Sequence, residues 1–283
     1  MIKLNGEIVN INHFPDGTLL LKEEGNWSGG GAHKIEWYFE SNEELVALMF
    51  LAKHLKSYDD TRKINLFLPY IPNARQDRVK TTEDVFTLKY FADIINYLNF
   101  NQVQVLDPHS SVSEALINNL RVDSPGCYIR KVLSKLPIQI GEYEDTVDFL
   151  HRTKKYSSLT MFYPDEGAMK RYAGMVDIPY AFGIKRRNWE TGKIEGLDVA
   201  GSVDKIAGKD ILIVDDICSR GGTFYHSAKK LKELGANKIY LYVTHCENTI
   251  LEGELLTSGL IEKVYTTNSI FTKEHKKIEV FEL

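Results

Sequence analysis

Asp215 and Asp216 close the apolar run Ile211-Leu212-Ile213-Val214, and the turn Ser219-Arg220-Gly221-Gly222-Thr223 comes close behind. Two adjacent carboxylates are acceptor-only groups suited to the vicinal hydroxyls of a sugar. Glycines let a backbone approach a ligand closely, and successive N–H groups at the start of a helix bind phosphate. Ser219 and Thr223 add hydroxyls. This spacing serves the holding of a phosphorylated sugar. An ordinary strand–turn–helix with capping residues is the plainer reading. Two consecutive acids at the end of a buried strand weigh against it, because burying unpaired charge is costly. Taken alone, the segment specifies a ligand moiety and not a reaction.

A second set of groups lies in the first half. Arg75-Gln76-Asp77-Arg78 comes after the run Phe67-Leu68-Pro69-Tyr70-Ile71. Two arginines flanking Gln-Asp at a strand end can take a phosphate and hydrogen-bond the edge of a base. A surface ion-pair cluster is the bland alternative. His109, in Asp107-Pro108-His109-Ser110, comes after another strand and stands near a carboxylate. That position favours a functional histidine over a core one.

These loops need elements to hold them. The apolar pattern predicts a strand over 65–71, a helix carrying Leu88, Phe91, Ala92, Ile95 and Leu98 on one face, and a strand over 102–106. The second half repeats the plan, with strands over 159–163, 180–183, 211–214, 238–244 and 261–266. A helix over 228–234 ends at Gly235. Strands alternating with helices mean parallel α/β sheets, and two such series predict two similar halves, 1–140 and 141–283. In such sheets ligands bind at the carboxyl ends of the strands, where all of these loops lie.

Composition narrows the classes. The chain has 283 residues, with 35 Lys plus Arg against 39 Asp plus Glu, a net charge of −4. Its 43% hydrophobic and 26% charged fractions exclude disordered and fibrous classes. Mild acidity without a long basic run argues against a general nucleic-acid or membrane-surface binder. The three cysteines are widely spaced and show no zinc spacing, so a reducing compartment is expected. The longest apolar run, 45–51, is far short of the ~20 residues a membrane helix needs. No secretory core opens the sequence, and a cytoplasmic protein is expected.

The 211–223 segment resembles the ribose-phosphate signature of the type I phosphoribosyltransferase superfamily. The 67–78 segment looks like the adenine- and phosphate-binding stretch of the ribose-phosphate pyrophosphokinases, which ordinary phosphoribosyltransferases lack. Four further segments match that family in its own order: His13-Phe14-Pro15-Asp16-Gly17, Asp107-Pro108-His109, Tyr163-Pro164-Asp165-Glu166-Gly167 and Lys185-Arg186-Arg187. Together they span nearly the whole chain. The resemblance implies an α/β fold of two tandem phosphoribosyltransferase-like domains with parallel sheets flanked by helices, the first on the ATP side and the second holding ribose phosphate. It implies ATP and ribose 5-phosphate as substrates, Mg²⁺ as cofactor, and a homodimer or higher homo-oligomer. Phe14, Asp16, Arg75, Gln76, Arg78 and His109 would bind ATP. His109 and Asp165 would serve the metal, and Lys185 and Arg187, with His109, the transferring phosphates. Asp165, Asp215, Asp216, Ser219, Arg220, Gly221, Gly222 and Thr223 would hold the ribose phosphate.

Three departures qualify that picture. The phosphate loop of the family commonly reads Asp-Thr-Gly-Gly-Thr, and here it is Ser219-Arg220-Gly221-Gly222-Thr223. Losing an acid and gaining an arginine suits a second phosphate, and ADP-ribose, used by some phage-type relatives, is the competing substrate. Alternatively, Arg220 faces solvent or strengthens a monophosphate grip. Thr18 stands where the adenine segment usually has Glu, and the family's usual last helix does not come after 276–283. A phosphoribosyltransferase and a non-catalytic regulatory homologue remain the other classes.

Overall fold

The computed structural model describes residues 1–22, 31–137, 158–187 and 194–283, with backbone alone at 185–187, 194 and 195. Two compact units, Met1–Ser124 and Pro125–Leu283, make up the chain. The expected division between 140 and 141 falls outside the described residues. The units part between Ser124 and Pro125 because helix α4 (Gly126–Lys135) buries Ile129, Val132 and Leu133 in the core of the second unit.

In the first unit, strands β1 (Ile2–Leu4) and β2 (Glu7–Ile8) run antiparallel at one edge of a sheet. The parallel strands β5 (His33–Trp37), β6 (Ile64–Phe67), β7 (Gln102–Leu106) and β8 (Leu120–Asp123) complete it. The sheet order is β2-β1-β5-β6-β7-β8, and β3 (Ile11–His13) and β4 (Leu19–Leu21) form a separate antiparallel ribbon. Helix α1 (Glu43–Tyr58) buries Ala47, Leu48, Leu51, Ala52 and Leu55, while α2 (Thr87–Tyr97) buries Leu88, Phe91, Ala92 and Ile95, the face its spacing predicted. Glu44 is a buried charge with its partners in place. It accepts from the N-terminal ammonium, from Trp37 Nε1 at 2.9 Å and from the Glu40 amide at 2.8 Å. The short helix α3 (Val112–Leu116) links β7 to β8. Strand β6 stops well before residue 71, since Pro69 and Pro72 have no N–H to give a ladder.

The second unit has the sheet order β11-β10-β9-β12-β13-β14-β15. Its strands are β9 (Leu159–Tyr163), β10 (Tyr180–Arg187), β11 (Ile194–Gly201), β12 (Asp210–Cys218), β13 (Ile239–Cys246), β14 (Lys263–Thr267) and β15 (Ile278–Phe281). All pairings are parallel except β10 with β11. Alternation along β12 sends Ile211 and Ile213 into a core shared with Phe224, Ala228 and Leu231 of α6 (Gly222–Glu233). Leu212 and Val214 enter the opposite core with α4 and with Ala168 and Tyr172 of α5 (Glu166–Tyr172). Helices therefore flank both faces. Among the described residues, no helix is long and apolar enough to cross a membrane.

Two strands outrun their sequence-based bounds. β10 extends beyond 183 because β11, unforeseen in the sequence, gives it antiparallel partners as far as Arg187. β12 runs through both acids to Cys218 because the wholly buried β13 pairs alongside it, from Ile211↔Ile239 to Cys218↔Cys246. Asp215 and Asp216 thus belong to a paired strand rather than to the loop after it.

Candidate functional site

The charged loops of the first unit gather after β6 and β7. Asn73 takes a left-handed conformation (φ 66°) and Ala74 is buried, so the loop is pinned just before its basic residues. Asp77 ties this loop together. Its carboxylate accepts Arg78 Nε at 2.6 Å, Arg78 Nη2 at 2.8 Å and Ser110 Oγ at 2.7 Å. Those bonds, Arg78's first, and the nearby charges of Arg78 and His109 pull the Asp77 carboxyl down to about 2. Gln76 accepts Thr87 Oγ1 at 2.9 Å, at the first residue of α2. Asp107 holds φ 43°, a sparsely used conformation for a non-glycine residue. It turns the chain at the end of β7, and the 107–110 loop comes up beside Asp77. Arg75, Gln76, Arg78 and His109 are exposed.

Phe14 and Asp16 lie on the separate ribbon. Asp16 accepts the Thr18 amide at 3.0 Å and Thr18 Oγ1 at 2.7 Å, and these bonds lower its carboxyl pKa, the amide first. Thr18, one of the departures, is thereby the partner that fixes Asp16 in the turn. Phe14 stays 49% exposed at the same tip, a large apolar surface left to solvent.

The second unit places its groups at the carboxyl ends of β9 and β12. Asp165 caps α5 by accepting the Ala168 amide at 3.1 Å. Gly183 of β10 lies hard against this turn, since a Cβ there would stand 2.6 Å from the Pro164 carbonyl oxygen. Asp216 is 3% exposed and accepts Arg171 Nη1 at 3.3 Å, while its amide donates to Asp215 Oδ1 at 3.0 Å. Burial holds the Asp215 carboxyl well above the usual carboxylate range, and the charges of Asp216 and Asp165 add to it. Asp215 therefore feels the charges of both Asp216 and Asp165.

The glycine turn 219–223 comes next. Gly221 is left-handed (φ 81°) at the N-cap of α6, and a Cβ there would meet Leu255 Cδ2 at 2.9 Å. No side chain caps this helix, and Gly222 and Thr223 are exposed at its first turn. Gly253 packs against the Arg220 carbonyl so closely that any Cβ would collide with it. The short turn Asn248–Glu252 thus leads into a segment that backs the loop. Ser219 is half-buried; Arg220 is exposed and its Nη2 donates to Glu252 at 3.2 Å. The side chains of Lys185 and Arg187 lie outside the described residues. Their backbones pair with Leu197 and Ile194 at the sheet edge.

Sequence reasoning missed Asp77 as the organiser of the first site, although it stands between the ATP-side candidates Gln76 and Arg78. It also missed Arg171, whose only signal is its place on the helix that Asp165 opens. Among the described residues, no group of three His, Cys, Asp or Glu side chains is placed to hold a metal alone.

Residues 194–282 match the family model described as "Phosphoribosyl synthetase-associated domain". A ribose-phosphate pyrophosphokinase of Bacillus subtilis (strain 168) is 28% identical over 279 residues, covering 96% of this chain and 80% of that one. Its counterpart from Thermococcus kodakarensis is 29% identical over 269 residues, covering 93% and 86%. Along nearly its whole length the chain is similar to ribose-phosphate pyrophosphokinases. A solved phosphoribosylpyrophosphate synthetase from Mycobacterium smegmatis has the same fold, with a TM-score of 0.75 over 97% of this chain and 86% of that one at 18% identity. The likeness in fold to that solved structure therefore runs through both halves of the chain.

Proposed function

We propose that this protein is an ATP-dependent pyrophosphokinase acting on a ribose 5-phosphate moiety. The anomeric 1-hydroxyl oxygen attacks the β-phosphorus of ATP, and the bond from that phosphorus to the α–β bridging oxygen breaks. AMP leaves with the bridging oxygen, the β,γ-diphosphoryl group passes to the sugar, and the hydroxyl proton goes to solvent. Such transfer depends on positioning and charge neutralisation, without a protein nucleophile. The observation that carries the reading is the acid pair Asp215 and Asp216 on a buried strand, succeeded by the uncapped, glycine-led start of α6.

Arg75, Gln76 and Arg78 take ATP, with Phe14 and Asp16 at its adenine. Asp215 and Asp216 take the ribose hydroxyls, and Ser219, Gly221, Gly222 and Thr223 take the 5-phosphate. Lys185 and Arg187 meet the charge that develops on the transferred phosphates. His109 and Asp165 would each serve a Mg²⁺ site, directly or through water, which suits an ion that keeps several waters and leans on substrate phosphates. The repulsion that Asp215 meets from Asp216 and Asp165 is the feature that favours a cation there. When bound, Mg²⁺ neutralises phosphate charge. We propose a cytoplasmic homo-oligomer that engages neither nucleic acid nor membrane.

ADP-ribose is the second reading, and Arg220 favours it. Its ion pair with Glu252 is exposed on both sides, a kind of contact that contributes little, so a second phosphate can compete for the guanidinium. The deciding experiment supplies ATP, Mg²⁺ and either ribose 5-phosphate or ADP-ribose, with mass detection of products. AMP together with phosphoribosyl pyrophosphate is the expected result. AMP formed with ADP-ribose alone would change the substrate and keep the chemistry. Nucleobase-dependent pyrophosphate release would instead mark a phosphoribosyltransferase, and turnover equal to that of Lys185→Ala would mark a non-catalytic homologue.

A further inference from the structure

We infer that Arg171 is the positioning residue of the sugar subsite, holding Asp216 in one orientation for the ribose hydroxyls. This rests on the functional reading above and concerns a residue outside the phosphate loop and outside the motif acids.

Asp216 is buried, next to a second acid whose charged form is already disfavoured by burial. A carboxylate so placed is costly to bury without a polar partner to hold it. Arg171 Nη1 donates to Asp216 Oδ2 at 3.3 Å. The same guanidinium donates from Nη2 to the Tyr172 hydroxyl at 2.8 Å, and its carbon lies 5.1 Å from the centre of that ring. Tyr172 is 1% exposed and stacks on the buried Tyr163 at 6.4 Å, so the arginine is clamped by a rigid aromatic pair. Two anchors on one planar group fix its direction, which a lysine cannot reproduce.

Arg171 also lies on the helix that Asp165 caps. One short helix therefore carries a metal-side acid at its start and, at its end, the cation that neutralises a sugar-side acid on β12. Shifting α5 moves both. With Arg171 in place, Asp216 meets the sugar as a fixed acceptor rather than as a carboxyl that rotates away.

The test uses the full chain and two variants, Arg171→Met and Arg171→Lys. Calorimetry with ribose 5-phosphate, and in parallel with ADP-ribose, reads sugar binding. Steady-state assays read KM for sugar and ATP separately, and thermal melting records folding. Arg171→Met should weaken sugar binding about tenfold to a hundredfold, the loss expected when a buried carboxylate loses its charged partner. The ATP KM should stay within about twofold, because its residues lie in the other unit. Arg171→Lys should recover part of the loss by restoring charge without the two-point anchor. Sugar binding at wild-type strength in Arg171→Met, or equal losses for sugar and ATP, overturns the inference. Should Arg171→Met fail to fold, Arg171→Lys decides alone: a selective sugar defect supports the role and wild-type binding rejects it. If the wild-type protein binds neither sugar, the functional reading falls, and the positioning role falls with it.

Discussion

Asp77 in the first unit and Asp215 in the second carry the same carboxyl group in opposite surroundings. Asp77 is wrapped by two guanidinium nitrogens and a hydroxyl, and its pKa falls to about 2. Asp215 is half-buried beside Asp216 and within the field of Asp165, and its pKa rises, desolvation first. The first carboxylate is finished before any ligand arrives; its task is to hold Arg78 and the 107–110 loop. The second is held at a cost that hydroxyls or a cation relieve. Strain of this kind marks the place where binding energy is collected, whereas full satisfaction marks the scaffold around it.

The largest expected effect breaks the second region outright. Asp216→Ala should weaken sugar binding about a hundredfold, since a central charged acceptor is lost and Arg171 is left without that partner. ATP binding should be spared, and calorimetry with each ligand separately checks this. Equal losses would mean that the two regions do not divide the substrates as assigned.

A smaller pair of changes addresses the contrast itself, in metal-free buffer. Asp215→Asn removes a disfavoured charge and keeps an acceptor for the Asp216 amide, so stability should rise by about 1 kcal/mol while sugar affinity falls. Asp77→Asn removes a satisfied charge, and stability should fall by about 1 kcal/mol, discounted because Arg78 is exposed. The pH slopes have opposite signs. Asp77 has a depressed folded pKa, so its contribution is present above the ordinary value of 3.8 and is lost as pH falls towards about 2. Asp215 has a raised folded pKa, so its penalty is absent below 3.8 and grows as pH rises above it. Denaturant titrations of each variant across acid pH check both; slopes of the same sign would erase the distinction.

Much of this contrast was legible in the sequence, and the part that was not has physical causes. The apolar spacing of Leu88, Phe91, Ala92 and Ile95 encodes α2 because one face must be buried. Strand β9 falls at 159–163 as its pattern predicted. The strand was expected to end at the acids, whereas pairing with a buried neighbour carries β12 past them to Cys218. β11 was invisible, since it is an edge strand that exists through its partner β10. Gly221 stood out as a candidate by type and spacing, and Asp165 only through the resemblance of its loop. Asp77 and Arg171 did not, because their roles come from contacts between segments, 33 residues apart for Asp77 with Ser110 and 45 for Arg171 with Asp216.

The smallest effect sharpens what the strained region accepts. Arg220 stands beside the phosphate loop with its guanidinium exposed and paired to Glu252 at 3.2 Å. An exposed pair of this kind contributes roughly 0–1 kcal/mol, so Arg220→Thr should leave stability nearly unchanged. Its consequence lies in substrate choice. A monophosphate already has the backbone amides at the start of α6 and the hydroxyls of Ser219 and Thr223, and loses little. A diphosphate carries further charge, which the guanidinium can meet only by leaving Glu252. Arg220→Thr should therefore lower the ratio of ADP-ribose use to ribose 5-phosphate use by about threefold to tenfold, the range of one charge-assisted contact offset by a broken exposed pair. Side-by-side kcat/KM values for the two sugars measure it. An unchanged ratio would confine Arg220 to its surface pair with Glu252 and leave sugar choice to the strained acids and the glycine turn.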